Sequence, residues 1–557
     1  MAQSAHVSRD LLKAQSANST MDVIVQYKHR PTRAEHQRVA NFGGRFKKQL
    51  GSINAGSYSV PASSLDALAA DPDVASIVPD RKVHMLLDNT AAAVNAAAAW
   101  NSGLDGSGIG VAVIDSGISE HGDLQGANGS RIVFRDNFVG TDAADYFGHG
   151  EHVAGIIAGN GGDSKCLICS RNFVGIAPNV NLVDLRVLDE NGEGTDSSVI
   201  AAIDEAIQLR DQYNIRVINL SVGRPVFESY TTDPLCQAVE AAWRAGIVVV
   251  VAAGNDGRLN VANNNGYGTI SSPGNDPYVI TVGAMKSMGT PDRADDLIAS
   301  YSSKGPTQID HIIKPDIVAP GNQVVSLRSP DGILPTLFPQ NGVPVNYYEW
   351  TQKAQLSSSY FLLSGTSMAT PVVSGAAALL LQAHPELTPD QVKARLMRTA
   401  NKQLPTVSTA TDPLTGQSFT SEYDVFTVGA GYLDIQAALA DNTWFWGKAH
   451  SPRAVRTDPN SGLHGGASIV CDSGSICGHG WYSNWSLQSI WGNQSVWGDQ
   501  SVWGDQSVWG DQSVWGDQSV WGDQSVWGDQ SVWGDQSVWG DQSLIGGATS
   551  IAINGEQ

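Results

Sequence analysis

The sequence predicts an α/β protein whose main β-sheet is mostly parallel and carries helices on both faces. Short Val- and Ile-rich segments, apolar on both faces, recur between residues 108 and 440, as expected of strands buried between layers of helices. Segments with helical periodicity separate them, as crossover helices would. The chain of 557 residues is also long enough for two or three folding units.

Five segments fit the pattern of buried parallel strands: GVAVID, NLVDLRVL, VINLSV, GIVVVVAAG and VITVGA. The stretches VIAAIDEAIQL and LCQAVEAAWRAG are predicted to be crossover helices between them. Ligands of such sheets bind beyond the carboxyl ends of the strands. Polar side chains that follow these strands are therefore the first candidates for a functional site.

A separate, small α+β unit is predicted over residues 21–85. Strand-like and helix-like segments follow one another there as β-α-β-β-α-β, which is the ferredoxin-like order. We expect residues 1–20 to be disordered. The Ala-rich stretch 86–107 is expected to be a linker into the second domain, which spans residues 108–440.

The C-terminal part consists of a predicted extension, residues 441–489, and a low-complexity tail, residues 490–557. The tail repeats the hexapeptide WGDQSV, with nine tryptophans in register from Trp491 to Trp539. An even period would place every Trp on one face of a strand, and a hexapeptide solenoid is one interpretation. Stacking a Trp on each turn is crowded, so we favour a disordered or loosely extended tail.

The charge of the chain argues against a nucleic-acid-binding protein. The formal net charge is −21, whereas phosphate binding requires a basic face. After Arg456 there is no Lys or Arg, and residues 457–557 hold eleven carboxylates. Residues 457–557 therefore carry about half of the net charge, and the rest of the chain is only mildly acidic.

Five cysteines are too few and too scattered for a disulfide scaffold. Cys166 and Cys169 form a CxxC pair, Cys471 and Cys477 flank a short loop, and Cys236 is expected to be a buried thiol.

The longest apolar run, Met368–Leu381, is too short for a transmembrane span. The N-terminal residues lack the apolar core of a signal peptide, so either the protein stays inside the cell or its true start lies upstream.

Four polar residues stand at the ends of predicted elements. Asp115 ends a strand, His149 precedes a helix within FGHGEHVAG, Asn255 follows a strand, and Ser367 opens an apolar helix. Each alone has an ordinary structural explanation as a turn or cap residue. Together they supply a hydroxyl nucleophile, an imidazole base, an orienting carboxylate and an amide for an oxyanion, which are the parts of an acyl-transfer site.

The motifs VIDSG, GHGxHVAG, AAGN and GTSMATP, in this order, resemble those of subtilisin-like serine proteases, the subtilases. The order Asp, His, Ser is also that of this family. The resemblance covers roughly residues 108–440, and residues 21–85 resemble the inhibitory propeptide that precedes many subtilases. It implies a serine endopeptidase with a subtilisin-like catalytic domain.

Carried over residue by residue, the resemblance makes Asp115 the orienting carboxylate, His149 the base and Ser367 the nucleophile. Asn255 would donate its side-chain amide to the oxyanion, and His152 would be structural. Three further groups would bind substrate. The pocket for the residue before the scissile bond would have one wall formed by Ser221, Val222 and Gly223, and the other by Ala252, Ala253 and Gly254. Extended substrate backbone would pair with Gly192, Glu193 and Gly194.

Near the pocket, Ser271 is expected at the floor and Asp256 at the rim. This favours mid-sized or apolar side chains before the scissile bond, with some tolerance for Lys or Arg. The stretch Asn322–Leu363 is longer than the fold requires and is expected to decorate the surface near the site.

Two departures from the family pattern concern the base and a metal. Glu151 stands where the family usually has Thr, and its carboxylate could raise the pKa of His149 or face solvent. Asp123 matches a residue that often binds calcium in relatives, but the loop over residues 160–173 differs from the family's calcium loop. The chemistry requires no cofactor, no metal ligand is assigned, and a structural calcium ion stays an open alternative.

Two other classes of function would explain parts of the sequence. His149, Glu151, Cys166 and Cys169 imitate the H-x-E…C-x-x-C signature of zinc deaminases, but the proline before the first Cys is absent and the other motifs would go unexplained. The second alternative is a non-catalytic scaffold that carries an adhesive Trp-rich tail. It would require a broken site, whereas all four catalytic positions are filled.

The sequence therefore predicts a self-processing zymogen that acts on protein or peptide substrates and binds its own propeptide. Self-cleavage is expected between Val83 and Ala97, and the enzyme is expected to act outside the cell or at its surface. The Trp repeats could contact carbohydrate or another surface. Truncation after Ala440 is expected to leave hydrolysis of a short peptide within a few-fold of the full chain.

Overall fold

The chain folds as two compact units that divide between His84 and Met85. The computed structural model describes residues 6–7, 20–79, 89–140, 142–259, 264–351, 355–412, 416–456, 467–470 and 551–556. The predicted repeat region from residue 490 to 550 and the pair Cys471 and Cys477 lie outside the described residues.

The first unit contains the predicted β-α-β-β-α-β order in a five-stranded sheet, with strand order β1-β5-β2-β4-β3. Its elements are β1 (His6–Val7), β2 (Thr20–Tyr27), α1 (Arg33–Asn41), β3 (Arg45–Leu50), β4 (Ala55–Pro61), α2 (Leu65–Ala69) and β5 (Val74–Pro79). Apolar side chains from the strands and from both helices form its core, including Val23, Val39, Tyr58, Leu65 and Ile77.

The expectation that residues 1–20 are disordered is wrong at two places. His6–Val7 pairs in parallel with β5, and Thr20 is the first residue of β2. The backbone N–H and C=O groups at the edge of β5 provide the hydrogen bonds for this extra strand.

The second unit is built on an eight-stranded sheet with the order β14-β13-β12-β11-β6-β10-β9, and β15 also pairs with β13. Every pairing in it is parallel except that of β13 with β14. The five predicted strand segments all lie in this sheet. Its strands are β6 (Gly110–Asp115), β9 (Ile132–Asn137), β10 (Asn181–Arg186), β11 (Ile215–Leu220), β12 (Val248–Ala252), β13 (Ile280–Lys286), β14 (Leu297–Ile298) and β15 (Ile317–Pro320); β7 (Gln125–Gly126) and β8 (Gly129–Ser130) form a small separate hairpin.

Helices pack on this sheet in two pairs, α5 with α11 and α6 with α8. The helices up to β15 are α3 (Asn89–Ala93), α4 (Ala96–Asn101), α5 (Gly150–Ala158), α6 (Asp196–Gln208), α7 (Arg210–Tyr213) and α8 (Pro234–Arg244). The remaining elements are β16 (Val324–Leu327), α9 (Ile333–Leu337), β17 (Gly342–Pro344), α10 (Val345–Tyr348), β18 (Leu356–Leu363), α11 (Thr366–Ala383), α12 (Pro389–Thr399), β19 (Val407–Thr411), β20 (Ser418–Glu422), α13 (Ile435–Ala440), β21 (Arg453–Arg456) and β22 (Ala467–Val470).

Helix α11 is the central helix of the second unit. It is apolar nearly all round and contacts β11, β12, β13 and β15, so it is buried as the sequence predicted. Among the described residues it is the one helix long and apolar enough to cross a membrane, but 83% of it is buried inside the fold. Its length and apolar composition are therefore those of a helix in the core of the fold.

The predicted linker over residues 86–107 is wrong from residue 89 onwards. Helices α3 and α4 occupy this stretch, and Ala93, Val94, Ala96 and Ala99 are buried in the core of the second unit. Trp100 donates its indole N–H to the Ile176 carbonyl. Small side chains allow these helices to pack closely, so composition alone did not distinguish them from a linker.

The predicted domain end at residue 440 is too early. Gln391 donates to the Phe445 carbonyl, and Ser451 donates to the buried carboxylate of Asp316. Residues 551–556 also belong to the second unit, where Glu556 is buried. Truncation after Ala440 would remove these contacts, so its effect on hydrolysis of a short peptide stays a prediction to be measured together with the stability of the second unit.

The stretch Asn322–Leu363 does more than decorate the surface. Strands β16, β18 and β17 form a three-stranded sheet, and residues such as Val343, Tyr360 and Phe361 are buried in the main core. The same stretch contributes Leu334 to the cleft described below.

Candidate active site

The carboxyl end of β6 and the start of α5 bring Asp115 and His149 together. Oδ1 of Asp115 lies 2.7 Å from Nδ1 of His149, and the carboxylate is fully buried. Burial lowers the pKa of His149, but the charge and hydrogen bond of Asp115 and the charge of Asp145 outweigh it. The pKa therefore lies above the ordinary histidine value of 6.5.

A buried hydrogen-bond network holds the loop that carries His149. Asp145 accepts the Ser116 hydroxyl at 2.8 Å, the Gly148 N–H at 2.6 Å and, through its other oxygen, the Glu151 N–H at 2.8 Å. Ser116 in turn accepts the Gly150 N–H at 2.8 Å. Burial raises the pKa of Asp145 to about 6. No sequence motif marks this residue, although it stands four positions before His149.

Glu151 does not face solvent, so that expectation is wrong. Its side chain is buried and accepts the Ser119 N–H at 2.6 Å. Burial and the neighbouring charge of Asp145 raise the pKa of Glu151 well above its ordinary value. The groups that raise the pKa of His149 are Asp115 and Asp145 rather than Glu151.

His152, the second histidine of the motif, is buried one helical turn along α5. Its Nε2 lies 3.0 Å from the Val324 carbonyl and 3.1 Å from the Phe361 carbonyl, and burial lowers its pKa to about 3. This neutral ring ties α5 to β16 and β18, which agrees with the predicted structural role.

Ser367 lies in the first turn of α11, where unpaired backbone N–H groups and the positive end of the helix dipole are found. Its hydroxyl donates to the Ser221 carbonyl at 3.1 Å, and both Ser367 and His149 line the same cleft. Among the described residues, no hydrogen bond joins this hydroxyl to His149. A rotation about χ1 would redirect it, since catalytic hydrogen bonds often tighten only with substrate bound.

The amide of Asn255 is oriented by the start of the same helix. Its Oδ1 accepts the Thr366 N–H at 2.9 Å, which leaves the NH₂ group on the opposite side. Among the described residues, none accepts a hydrogen bond from that NH₂ group. Gly365 precedes the helix with φ +139°, a conformation that favours glycine, and a Cβ there would lie 3.3 Å from Nδ2 of Asn255. The arrangement keeps an amide donor beside Ser367.

One cleft of about 490 Å³ is lined by His149, Asn255 and Ser367. Of the residues predicted to bind substrate, the following eight line it: Gly192, Glu193, Gly194, Ser221, Val222, Gly223, Ala252 and Gly254. Ala253 does not, because it is fully buried and its backbone bonds to Val282 and Ser271. Ser271 and Asp256, predicted at the floor and rim, also line the cleft.

The segment Gly192–Gly194 is an exposed turn next to the cleft. The Asp189 N–H donates to the Glu193 carbonyl, and the Asp189 carboxylate accepts the Glu193 N–H at 3.0 Å. Gly192 has φ +79°, and a Cβ there would meet the Phe147 ring at 2.6 Å. The turn therefore needs glycine, and it presents backbone rather than bulky side chains to the cleft.

The structure rejects the zinc site that the CxxC pair suggested. Cys166 and Cys169 form a disulfide, so their thiolates are not available as ligands. Asp123 lies near His121 and Asp163, but its two oxygens accept hydrogen bonds from the Asp163 N–H and the Tyr360 hydroxyl. One imidazole and two carboxylates are not the cage of six or more oxygens that calcium prefers.

Comparison with known proteins identifies the protein family to which this chain belongs. The Subtilase family profile matches residues 106–421, more than half of the chain. The chain belongs to the subtilase family, and it is a serine-type endopeptidase.

The chain aligns with most of the length of individual relatives. Serine protease AprX of Bacillus subtilis (strain 168) is 38% identical over 369 residues, which is 64% of this chain and 76% of the relative. Subtilisin E of the same organism is 34% identical over 366 residues, 65% and 79% respectively. An alkaline protease of Alkalihalobacillus alcalophilus is 33% identical over 347 residues, 62% and 73% respectively.

Proposed function

We propose that this endopeptidase cleaves extended segments of proteins through an acyl-enzyme on Ser367. The observation that carries the proposal is the 2.7 Å contact of Asp115 with His149 in a cleft that also contains Ser367 and Asn255. A serine hydroxyl is too weak an acid to attack unaided, and a buried Asp–His pair supplies the base that it needs.

In the proposed mechanism, His149 takes the proton of Ser367 while Oγ attacks the carbonyl carbon of the substrate. Asp115 keeps the proton of the neutral ring on Nδ1 and stabilises the imidazolium that forms. The oxyanion accepts hydrogen bonds from the Asn255 amide and the Ser367 N–H. His149 then protonates the leaving amine, and water releases the acyl group by the reverse steps.

The cleft supports a substrate bound as an extended strand. The segment Gly192–Gly194 is exposed beside the cleft, and because the Glu193 backbone groups bond to Asp189, the Gly192 carbonyl and the Gly194 backbone would pair with such a strand. The cleft is lined by Ser221–Gly223 and Gly254, with Ser271 and Asp256 as further polar residues. Burial raises the pKa of Asp256. We infer a preference for mid-sized or apolar residues before the scissile bond, with some acceptance of Lys or Arg.

We further propose that the enzyme is made as a zymogen, with residues 21–85 as its inhibitory propeptide. The ferredoxin-like order of this unit supports the proposal. Residues 89–101 form helices in the second unit, so we now place the self-cleavage site within residues 80–88, which lie outside the described residues. The disulfide Cys166–Cys169 supports a site of action outside the cell.

Ser367→Ala tests the mechanism and the processing together. Peptide hydrolysis should fall by about 10⁶, the loss of kcat measured for subtilisin itself when this serine is removed, and the uncut chain should accumulate. Ser102→Ala, the same change at an exposed helix end, is the matched control and should retain both activities. Residual hydrolysis within about tenfold of wild type would reject Ser367 as the nucleophile. Normal processing in a protease-free preparation would reject self-cleavage.

A further inference from the structure

Residues Ile551–Glu556 occupy a recess of the second unit, nearly two hundred residues after the nucleophile in the sequence. Residues 551–554 form a helical turn, and Ile553 is only 7% exposed within the main core. Their carbonyls are recognised individually: the Ser364 N–H donates to Ala552 at 2.8 Å, and the Asn341 amide donates to Ile553 at 2.5 Å.

The recess also recognises the carboxylate of Glu556, whose side chain is 2% exposed. It accepts the N–H and the hydroxyl of Ser300 at 2.8 and 2.5 Å, and it lies 3.1 Å from Arg258 and 3.3 Å from Lys286. Asn322 donates to the Glu556 carbonyl at 2.6 Å and accepts its N–H at 2.7 Å. Buried polar groups in this number indicate a site built for one peptide.

The docked segment reaches the cleft itself. Ala552 lines the cleft together with Ser364, to which it is hydrogen-bonded, and Ser364 precedes Ser367 by three residues. The walls assigned to the acyl side come from the ends of β11 and β12. Leu334, Ser364 and Ala552 line the same cleft but belong to none of the segments assigned to the acyl side.

We propose that Ile551–Glu556 is an intramolecular ligand that completes the leaving-group side of the cleft. Glu556 and Ile553 fix the segment, and Ala552 forms part of the wall against which the residues after the scissile bond pack. The inference rests on the proposed function, because the two sides of the cleft are defined by the acyl-enzyme on Ser367.

Glu556→Ala in the full-length chain tests the proposal with two substrates. A peptide anilide has a small leaving group, whereas a quenched peptide continues for several residues beyond the scissile bond. We expect kcat/KM to fall by about tenfold for the extended peptide and to stay within about twofold for the anilide. Glu386→Ala, which removes an exposed carboxylate, is the matched control and should change neither value. Equal losses on both substrates, or no loss on either, would overturn the proposal.

Hydrogen exchange in the inactive Ser367→Ala protein tests the docking without any catalysis. The amide of Glu556 should be protected, and the additional Glu556→Ala change should remove protection from residues 551–556 while the amides of β11 stay protected. Unprotected amides in the Ser367→Ala protein would overturn the docking. If the wild type cleaves neither substrate, the proposed function fails, and the exchange result still decides whether the segment is a ligand.

Discussion

Replacing Asp115 by asparagine tests the geometry of the site most directly. The side chain is fully buried, and Oδ1 contacts Nδ1 of His149 at 2.7 Å while accepting the Ser116 N–H at 2.8 Å. Asparagine keeps the volume but must place an NH₂ group. In one orientation that group faces Nδ1 and forces the wrong tautomer of the ring. In the other it replaces Oδ2, a buried atom with no hydrogen-bond partner among the described residues.

Both orientations also remove the charge that stabilises the imidazolium. A wrong tautomer in a serine-protease triad costs about 10⁴ in kcat, and removal of the triad aspartate in subtilisin costs about 3 × 10⁴. A loss of about 10⁴ corresponds to about 5.4 kcal/mol of transition-state stabilisation. We therefore expect kcat of Asp115→Asn to fall by about 10⁴, with little change in KM for a short peptide.

The pH dependence of hydrolysis gives a second measurement. His149 acts as a base only when neutral, so the rate falls as the pH drops through its pKa, which lies above 6.5 in the native protein. Asp115 raises this pKa, and removal of its charge therefore lowers it. The acid limb of kcat/KM should move to lower pH in Asp115→Asn.

Glu151→Gln is the matched control, because it changes another buried carboxyl group close to His149. The pKa of His149 is raised by Asp115 and Asp145 rather than by Glu151, so an amide of the same size at position 151 should leave kcat within about threefold. A loss smaller than about tenfold in Asp115→Asn would refute the reasoning, as would an unshifted acid limb.

Two further predictions concern the oxyanion and the core. Asn255→Ala should lower kcat by about 10²–10³, the range measured in subtilisin for losing one oxyanion donor, with KM nearly unchanged; a raised KM at normal turnover would make Asn255 a binding residue. Asp316→Ala should destabilise the fold by about 3–5 kcal/mol, because it leaves the buried ammonium groups of Lys314 and Lys393 uncompensated. Denaturant unfolding measures this against the exposed control Asp211→Ala, and equal stability of the two variants would contradict it.

The sequence by itself determined the sheet and the residues gathered at its edge. Strands buried on both faces need continuous apolar runs, so β6, β11 and β12 could be located from local composition. The carboxyl ends of parallel strands meet at one edge, which is why Asp115 and Asn255 could be expected near each other. His149 and Ser367 were placed by their motifs, because a helix start after a short polar turn is also a local feature.

Tertiary structure alone decided the features that depend on distant contacts. An Ala-rich stretch is compatible with a linker or a helix, and only the core around Ala96 made it α4. The burial of Glu151 depends on Ser119 and Asp145, neither of which is adjacent to it in sequence. The docking of Glu556 depends on Arg258, whose positive charge lies almost three hundred residues earlier. Such pairings leave no periodic signal in the sequence, because their free energy comes from groups that meet only in the folded chain.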